Sequence, residues 1–165
     1  SSIREPNNPV ETTAFEDAGE FSEEMSRSTG TSVRLPSEAE WEYACRAGGS
    51  HEKYCGEGET LDRLAWYEGN SGKATHAVGQ LAANDWGLYD MNGNVSEWTQ
   101  DCWNPSYSGA PDDGSAWMSG DCVERVVRGG SMTKKGAEMS ASSRYTGETL
   151  IRYTVIGFRV ARSSR

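Results

Sequence analysis

The chain has 165 residues, a net charge of −9 at pH 7 and a mean hydropathy of −0.73. This acidic balance argues against a nucleic-acid ligand and against adhesion to an anionic membrane, because both require a basic face. No apolar run approaches the length of a membrane span, and the length favours one domain over residues 1–165. Nineteen glycines, six tryptophans and few aliphatic residues predict a loop-rich fold in which large rings supply the buried area.

Two amphipathic helices are predicted near the start of the chain. The first begins at a capping-box pair, Thr13 and Glu16, and ends at Gly30. Its apolar residues follow at helical spacing: Ala14, Phe15, Ala18, Phe21 and Met25. The second begins at Ser37, with Glu40 as the capping-box acid. Its inner face is formed by Trp41, Ala44 and Cys45.

The middle of the chain, from residue 57 to residue 121, has no long periodic pattern. A stretch of this length must fold on itself in a compact domain, held by aromatic packing, cysteine links or metal ions. Two strands are predicted near the end of the chain. One covers residues 125–128, and the other covers residues 156–161, where apolar and polar side chains alternate.

Four cysteines allow three disulfide pairings. Cys102 and Cys122 flank a loop rich in Gly, Pro and Asp, which suits a disulfide worth about 3 kcal/mol on the chain-entropy model. We expect at least this one disulfide, and the alternative is that some or all of the cysteines are buried free thiols. The cysteines do not have the spacing of a zinc site, and His51 and His76 are isolated in the sequence.

Four motifs follow one another along the chain. They read RLPSEAEWEYA at residues 34–44, WGLYDMNGNVSEW at 86–98, RVVRGGS at 125–131 and GFRVA at 157–161. In this order they resemble the formylglycine-generating-enzyme, or sulfatase-modifying-factor, family. The resemblance implies an α+β, C-type-lectin-like fold with two helices packed on a small twisted antiparallel sheet and much irregular structure. We expect the strands that the family usually has ahead of residues 8–11 to be missing or much shortened.

The resemblance also carries an expectation about catalysis. The founding enzymes of the family oxidise a substrate cysteine to formylglycine with two reactive cysteines, which lie shortly after the RGGS motif. The two corresponding positions hold Lys134 and Met139. Neither side chain can form the thiolate that this chemistry needs. We therefore expect no copper and no enzymatic activity, and a formylglycine-generating-type oxidase is the alternative function.

A second branch of the family, the variable proteins of diversity-generating retroelements and those of treponemes in particular, resembles the chain more. Residues 131–156 have the length and layout of the variable segment in these proteins, with Arg144 and Arg152 at its fixed arginine positions. The resemblance implies a hypervariable ligand-binding region at residues 131–156. The residues expected to contact a ligand are Met132, Thr133, Lys134, Lys135, Met139, Tyr145, Thr146, Ile151, Tyr153, Thr154 and Val155.

The composition of residues 131–156 suits a binding surface on physical grounds. Tyrosine supplies a large amphipathic contact area at low entropic cost, and short polar side chains adapt to a partner. Methionine deforms to fit different ligands. The alternative is an ordinary surface loop with solvated polar residues.

The resemblance implies a cellular setting as well. We expect an extracellular domain on a bacterial cell surface, attached to the outer membrane only through a lipid anchor outside this chain. The expected partner is a protein or other macromolecular ligand of unknown identity on another cell, and not a nucleic acid. We expect a monomer. A purely structural surface domain is a third alternative.

A compact acidic turn at residues 90–97 is a candidate metal site. In the family, the corresponding positions hold a structural calcium ion through side-chain oxygens at both ends and backbone carbonyls between them. A hard cation prefers this set of oxygen ligands. The positions here are Asp90, Gly93, Val95 and Glu97. The alternative is that Asn92 and Asn94 make turn hydrogen bonds and Glu97 pairs with an arginine.

The tryptophans and four arginines are interpreted as structural residues. Of the six tryptophans, Trp103 and Trp117 lie in the Gly/Asp-rich loop and are expected to be the most exposed. Most of the others are expected in the core. Four arginines are expected to pair with acidic residues: Arg128, Arg144, Arg152 and Arg159.

Overall fold

The computed structural model describes residues 6–49, 53–56 and 58–162, so His51 lies outside the described residues. Its helices are α1 (Phe15–Thr29), α2 (Glu38–Cys45) and α3 (Leu61–Leu64), with a 3-10 helix at Gly136–Glu138. Its strands are β1 (Val33–Arg34), β2 (Ala65–Trp66), β3 (Asn92–Gly93), β4 (Ser96–Trp103), β5 (Asp121–Arg128), β6 (Tyr145–Glu148), β7 (Ile156–Gly157) and β8 (Ala161–Arg162). None of the described helices is long and apolar enough to cross a bilayer.

In the described part of the chain, the strands form three small sheets. The largest has the strand order β6-β5-β4-β7. Its neighbouring strands are antiparallel, except that β4 and β7 are parallel. β1 pairs with β8, and β2 pairs with β3. Because long irregular segments connect these strands, side-chain hydrogen bonds and ion pairs fix much of the structure.

The start of α1 differs from the predicted start. Ala14 is the N-cap, and its amide donates to the Asp17 carboxylate at 2.8 Å. The predicted capping pair of Thr13 and Glu16 is therefore wrong. Thr13 is buried, and its hydroxyl donates to the Ile156 carbonyl at 3.0 Å. This bond ties the residue before α1 to strand β7.

α2 starts as predicted. The Ser37 hydroxyl accepts from the Glu40 amide at 3.0 Å, and the Glu40 carboxylate accepts from the Ser37 amide at 2.9 Å. Trp41 and Cys45 on the predicted inner face are buried. A disulfide joins Cys45 to Cys55 and holds the end of the helix against the next segment.

The strand predictions are confirmed only in part. Residues 125–128 lie in β5, as predicted. Residues 156–161 do not form one strand, because β7 pairs with β4 whereas β8 pairs with β1 in another sheet. Between these two strands, the Arg159 side chain turns to Glu97 of β4. β4 has no predicted counterpart, because nearly all of its side chains are buried and it shows no polar and apolar alternation.

Two buried clusters form the core. One consists of Ala18, Leu35, Trp98, Val127 and Ile156. The other consists of Trp41, Cys45, Cys55, Met91 and Ala141. A second disulfide joins Cys102 to Cys122, which is the pairing that the loop composition favours.

The exposure of the tryptophans differs from the prediction. Trp86 is 51% exposed, whereas Trp103 and Trp117 are only partly exposed. The Trp103 ring is covered by the Arg144 guanidinium, whose central carbon lies 4.9 Å from the ring centroid. The Trp117 backbone amide donates to the buried Asp101 carboxylate at 2.8 Å, which pulls this residue toward the sheet.

A buried ion-pair network links α2 to β5. The Glu38 carboxylate accepts from Arg128 at 2.7 Å and from Arg144 at 2.6 and 2.7 Å. The Tyr107 hydroxyl donates to the same carboxylate at 2.8 Å. Arg128 is fully buried and also donates to Glu42 at 2.7 Å. All four arginines predicted to pair with acids do so, and the remaining two pairs are Arg152–Asp17 and Arg159–Glu97.

This network predicts the effect of removing one buried charge. Glu38→Gln keeps the shape of the side chain but leaves Arg128 and Arg144 without their shared carboxylate. We expect the free energy of unfolding to fall by about 3–5 kcal/mol, measured by urea denaturation. Glu24→Gln removes an exposed pair with Arg27, whose side chains are 71% and 68% exposed, and should cost less than about 1 kcal/mol. Equal losses for the two variants would contradict a structural role of the network.

Candidate ligand-binding face and acidic turn

Residues 131–156 are anchored to the rest of the domain through the backbone. At the start of the segment, the Met132 amide donates to the Asn94 carbonyl at 3.0 Å, and the Lys134 carbonyl accepts from the Glu68 amide at 3.0 Å. Further along, the Thr149 amide donates to the Val123 carbonyl at 3.0 Å. Because backbone groups make these bonds, the side chains can vary without removing the anchors.

The eleven residues expected to contact a ligand fall into three groups by exposure. Five are exposed: Thr133, Lys135, Thr146, Ile151 and Thr154. Four are half-buried: Lys134, Tyr145, Tyr153 and Val155. Two are buried: Met132 and Met139. The first two groups are accessible at the surface, and ligand contact stays a prediction for them, whereas the burial of Met132 and Met139 contradicts surface contact by these two side chains.

The two methionines have structural surroundings that explain their burial. A Cβ atom on Gly130 would lie 2.6 Å from the Met139 sulfur, so Met139 fills the space over this glycine. The Met139 carbonyl also accepts from the Asn92 side chain at 2.8 Å. The Met132 carbonyl accepts from the Ser71 hydroxyl at 2.7 Å. Both residues belong to the scaffold rather than to the predicted binding face.

A cationic and aromatic patch forms where Lys134 lies over Tyr145. The Lys134 ammonium is 4.1 Å from the ring centroid and 3.5 Å from the Glu138 carboxylate. The Tyr145 hydroxyl donates to the Glu138 carbonyl at 2.6 Å. The Lys135 amide donates to the Glu138 carboxylate and lowers the pKa of that group, as does the nearby Lys134 charge. The structure thus brings three predicted residues, Lys134, Lys135 and Tyr145, together.

The other half-buried residues pack against the core. Tyr153 and Val155 contact the cluster that contains Trp98. The Tyr153 hydroxyl accepts from the Glu148 amide at 3.1 Å, which orients the ring. Side chains alternate along a strand, so Thr146 points to the opposite face of β6 from Tyr145. The predicted residues therefore do not all share one face.

The acidic turn at residues 90–97 is held by unusual backbone angles and by two asparagines. Asp90, Gly93 and Asn94 all have positive φ. A Cβ atom on Gly93 would lie 2.3 Å from the Trp66 carbonyl oxygen, so only glycine fits there. The Asn94 side chain bridges the amide and the carbonyl of His76, each at 3.0 Å. The sequence motif indicates a turn here but gives no sign of these distant partners.

The structure contains the bonds of the alternative interpretation of the turn, in which the asparagines make hydrogen bonds and Glu97 pairs with an arginine. The Asn92 side chain accepts from the Cys55 amide at 2.7 Å and donates to the Met139 carbonyl at 2.8 Å. Glu97 accepts two hydrogen bonds from Arg159 and one from the Trp41 indole at 2.7 Å. The asparagines and the Glu97–Arg159 pair therefore stabilise the turn.

The same turn carries oxygen atoms of the kind that a calcium ion prefers. The Asp90 Oδ1 atom is buried and has no hydrogen-bond partner. Burial also raises the pKa of Asp90, although the Gly79 amide opposes the rise. Glu97 Oε1 accepts one bond, from Arg159 at 2.7 Å, and keeps a second lone pair. Within the described ranges, no three His, Cys, Asp or Glu side chains cluster around one point, so backbone carbonyls would have to complete the site. Calcium binding stays a prediction.

Fold and motifs together define the family of the chain. The model of the sulfatase-modifying factor enzyme 1-like domain matches residues 2–164, and the chain belongs to this family. The formylglycine-generating enzyme of Streptomyces coelicolor is 31% identical over 139 residues, which cover 76% of this chain and 42% of that enzyme. The chain spans less than half the length of the curated relatives it matches.

Two solved structures have the same fold. PvdO from Pseudomonas aeruginosa superposes with a TM-score of 0.89 at 36% identity, over 97% of this chain and 64% of that one. Treponema denticola variable protein 1 superposes with a TM-score of 0.85 at 28% identity, over 96% of this chain and 73% of that one. The predicted C-type-lectin-like fold of the formylglycine-generating-enzyme type is thereby confirmed. The family includes enzymes, and one of the similar structures is a variable protein.

The calcium prediction can be tested by thermal unfolding with and without the ion. Calcium at about 100 times its Kd should stabilise the wild-type protein by about 2.7 kcal/mol and raise its Tm by several degrees. Asp90→Asn should lose this response because it removes the charged ligand with the unpartnered oxygen. Asp85→Asn, at an exposed position nearby, is the control and should respond as the wild type does. A wild-type Tm that is the same in calcium and in EDTA would rule out the site.

Proposed function

We propose that this protein is a non-catalytic ligand-binding domain of the variable-protein type, which presents residues 131–156 to a macromolecular ligand. The observation that carries the proposal is that some residues of this segment hold it to the domain, while others are exposed. Backbone anchors, paired arginines and two buried methionines fix its course, while five side chains are exposed to solvent. Of these five, Thr133 also contacts the scaffold, because its hydroxyl lies 3.1 Å from the Ser131 hydroxyl. The similarity to Treponema denticola variable protein 1 supports this function.

The contact surface that we propose has two kinds of residues. The half-buried patch of Lys134 and Tyr145 supplies a pre-oriented aromatic and cationic anchor, which costs little entropy on binding. The five exposed residues surround it with short polar and aliphatic side chains that can change independently. Substitutions at such positions usually alter stability by less than about 0.5 kcal/mol.

Formylglycine generation is the second candidate function, favoured by the identity to the Streptomyces enzyme. Against it stand Lys134 and Met139 at the two positions where the resemblance places reactive cysteines. All four cysteines of the chain form disulfides, so the described part offers no free thiolate for a copper site or a mixed disulfide. Oxygen-dependent conversion of a Cys-x-Pro-x-Arg peptide would establish the enzyme and overturn the binding proposal.

The setting that we propose is the surface of a bacterial cell. The net charge of −9 suits an exposed domain that must stay soluble and repel anionic lipids. We propose attachment through a lipid anchor outside this chain, a monomeric domain and a ligand on another cell. Calcium, where it binds, would stabilise the acidic turn and take no part in chemistry.

Replacement of the exposed residues tests the division between scaffold and surface. A variant with alanine at Thr133, Lys135, Thr146, Ile151 and Thr154 should keep its Tm within about 3 °C of the wild type. Met139→Ala should lower the free energy of unfolding by about 2–5 kcal/mol, because it opens a cavity in a packed interior. Unfolding of the five-alanine variant would contradict the proposal.

A further inference from the structure

The Cys102–Cys122 disulfide joins the end of β4 to the start of β5, beside the Arg125 side chain. The Nη1 atom of Arg125 lies 3.3 Å from the Cys102 sulfur. The two cysteines differ in access, because Cys102 is fully buried whereas Cys122 is half-buried. We propose that this disulfide exchanges with small thiols in the folded protein, by attack on Cys122 and release of a Cys102 thiolate beside Arg125. This chemistry is separate from the binding role of residues 131–156.

The charge of the Arg125 guanidinium is incompletely balanced by its surroundings. In the part of the chain that the structure describes, the guanidinium forms no ion pair, and its Nε atom is buried without a hydrogen-bond partner. Nη1 donates to the Gln100 carbonyl at 2.6 Å, and the guanidinium carbon lies 4.6 Å from the centre of the Phe15 ring. Burial lowers the pKa of Arg125, against the opposing charges of Asp101 and Glu16. An additional anion beside this guanidinium would therefore be stabilised.

Reduction of the disulfide would supply that anion. A thiolate at Cys102 would accept from Nη1 of Arg125, across the 3.3 Å that already separates the two atoms. Such a charge-assisted hydrogen bond stabilises a thiolate, whereas the burial of Cys102 and the carboxylate of the neighbouring Asp101 oppose it. A disulfide whose reduced form is stabilised is more easily reduced. Arg125 is thus the group that makes this disulfide exchangeable.

Cys122 is the sulfur that an external thiol can reach. It is half-buried between two exposed residues of β5, Asp121 and Val123. Its sulfur lies 3.6 Å from the carbonyl oxygen of Met118, another exposed residue. Attack at Cys122 makes Cys102 the leaving group, and a thiolate of lower pKa leaves faster. Access and leaving-group stability therefore favour the same direction of attack.

The exchange proceeds in two balanced steps. In the first, the thiolate of a small thiol forms a bond to the Cys122 sulfur, the bond between the two cysteines breaks, and its electron pair stays on Cys102. In the second, another small thiolate attacks the small-thiol sulfur of this mixed disulfide and releases Cys122. The protein gains two electrons, and two small thiols become one small-molecule disulfide. Of the two protons that the thiols give up, one goes to Cys122 and one remains in the solvent.

Other bonds hold the loop between the two cysteines when the disulfide opens. Near its start, Arg144 donates to the Asn104 carbonyl at 2.8 Å. In its middle, the Ser37 hydroxyl donates to the Gly114 carbonyl at 2.7 Å. Because these bonds do not involve either sulfur, we expect exchange without unfolding.

The test measures reduction of the full, folded chain in buffers of reduced and oxidised glutathione. Differential alkylation and mass spectrometry give the oxidised fraction of each disulfide at equilibrium, and circular dichroism shows that the fold persists. We expect the equilibrium constant for reduction of Cys102–Cys122 to exceed that of Cys45–Cys55 at least about tenfold, which is about 30 mV. Cys45–Cys55 is the internal control, because it lies in a buried apolar cluster where a thiolate is disfavoured.

Substitutions at Arg125 separate its charge from its packing. Arg125→Met keeps a long side chain without the charge and should lower the equilibrium constant for Cys102–Cys122 at least about tenfold. Arg125→Lys keeps the charge and should retain most of the wild-type value. Arg27→Met removes the same charge from an exposed position, about three turns along α1 from Phe15, and should leave the constant unchanged.

The titration of Cys102 distinguishes an electrostatic role of Arg125 from a packing role. The ultraviolet absorbance of the thiolate is followed against pH in Cys122→Ser, with Cys102→Ser/Cys122→Ser as the baseline. We expect the pKa of Cys102 to rise by at least about one unit when Arg125→Met is added.

The direction of attack is tested with oxidised glutathione. It should form a mixed disulfide with Cys102→Ser, whose remaining thiol is the accessible Cys122. It should leave Cys122→Ser unmodified, because Cys102 is fully buried.

Any one of three results would overturn the proposal: Cys102–Cys122 is reduced only when the protein unfolds, Arg125→Met is reduced as easily as the wild type, or glutathione attaches to Cys102 rather than to Cys122. If Arg125→Met does not fold, the comparison of the two disulfides and the site of glutathione attachment still decide. None of these measurements uses a ligand of residues 131–156, so failure of the proposed function and failure of this proposal are distinguishable.

Discussion

Two guanidinium groups and one tyrosine hydroxyl converge on a single buried carboxylate, that of Glu38. Arg128 brings the end of β5 to this carboxylate, and Arg144 brings the middle of residues 131–156. Arg144 also donates to the Asn104 carbonyl at 2.8 Å, in the loop that the Cys102–Cys122 disulfide closes. One charge therefore joins α2, the four-stranded sheet and two long irregular segments.

This arrangement separates the residues that fold the domain from those that are free to contact a partner. Replacing the buried Arg128 would leave an unpaired charge in the interior, so the surroundings of Arg128 are strongly constrained. The exposed side chains between the anchors have no such constraint. A stable frame that tolerates a changing surface is the physical requirement of the binding role that we propose.

Local signals were sufficient to predict some elements and insufficient for others. The capping pair at Ser37 and Glu40 predicts α2, because both partners lie within one helical turn. β4 gives no local signal, because it is buried on both faces and its identity as a strand depends on β5 and β7. For the candidate site, the family resemblance placed Met132 and Met139 on the predicted binding face. Only tertiary contacts, such as that of Met139 with Gly130, show that they belong to the interior.

The Asn92–Gly93 pair in the acidic turn has a consequence for the chemical lifetime of the protein. An asparagine before glycine deamidates when the glycine nitrogen attacks the side-chain carbonyl, which requires a mobile backbone. Here both amide atoms of Asn92 are hydrogen-bonded, and the Gly93 nitrogen donates to the Gly129 carbonyl at 3.0 Å. A carboxylate at position 92 would face the Met139 carbonyl without a proton to donate, and would be repelled by it. The intact fold therefore protects Asn92 from deamidation, and each excursion to the unfolded state exposes Asn92 to this irreversible reaction.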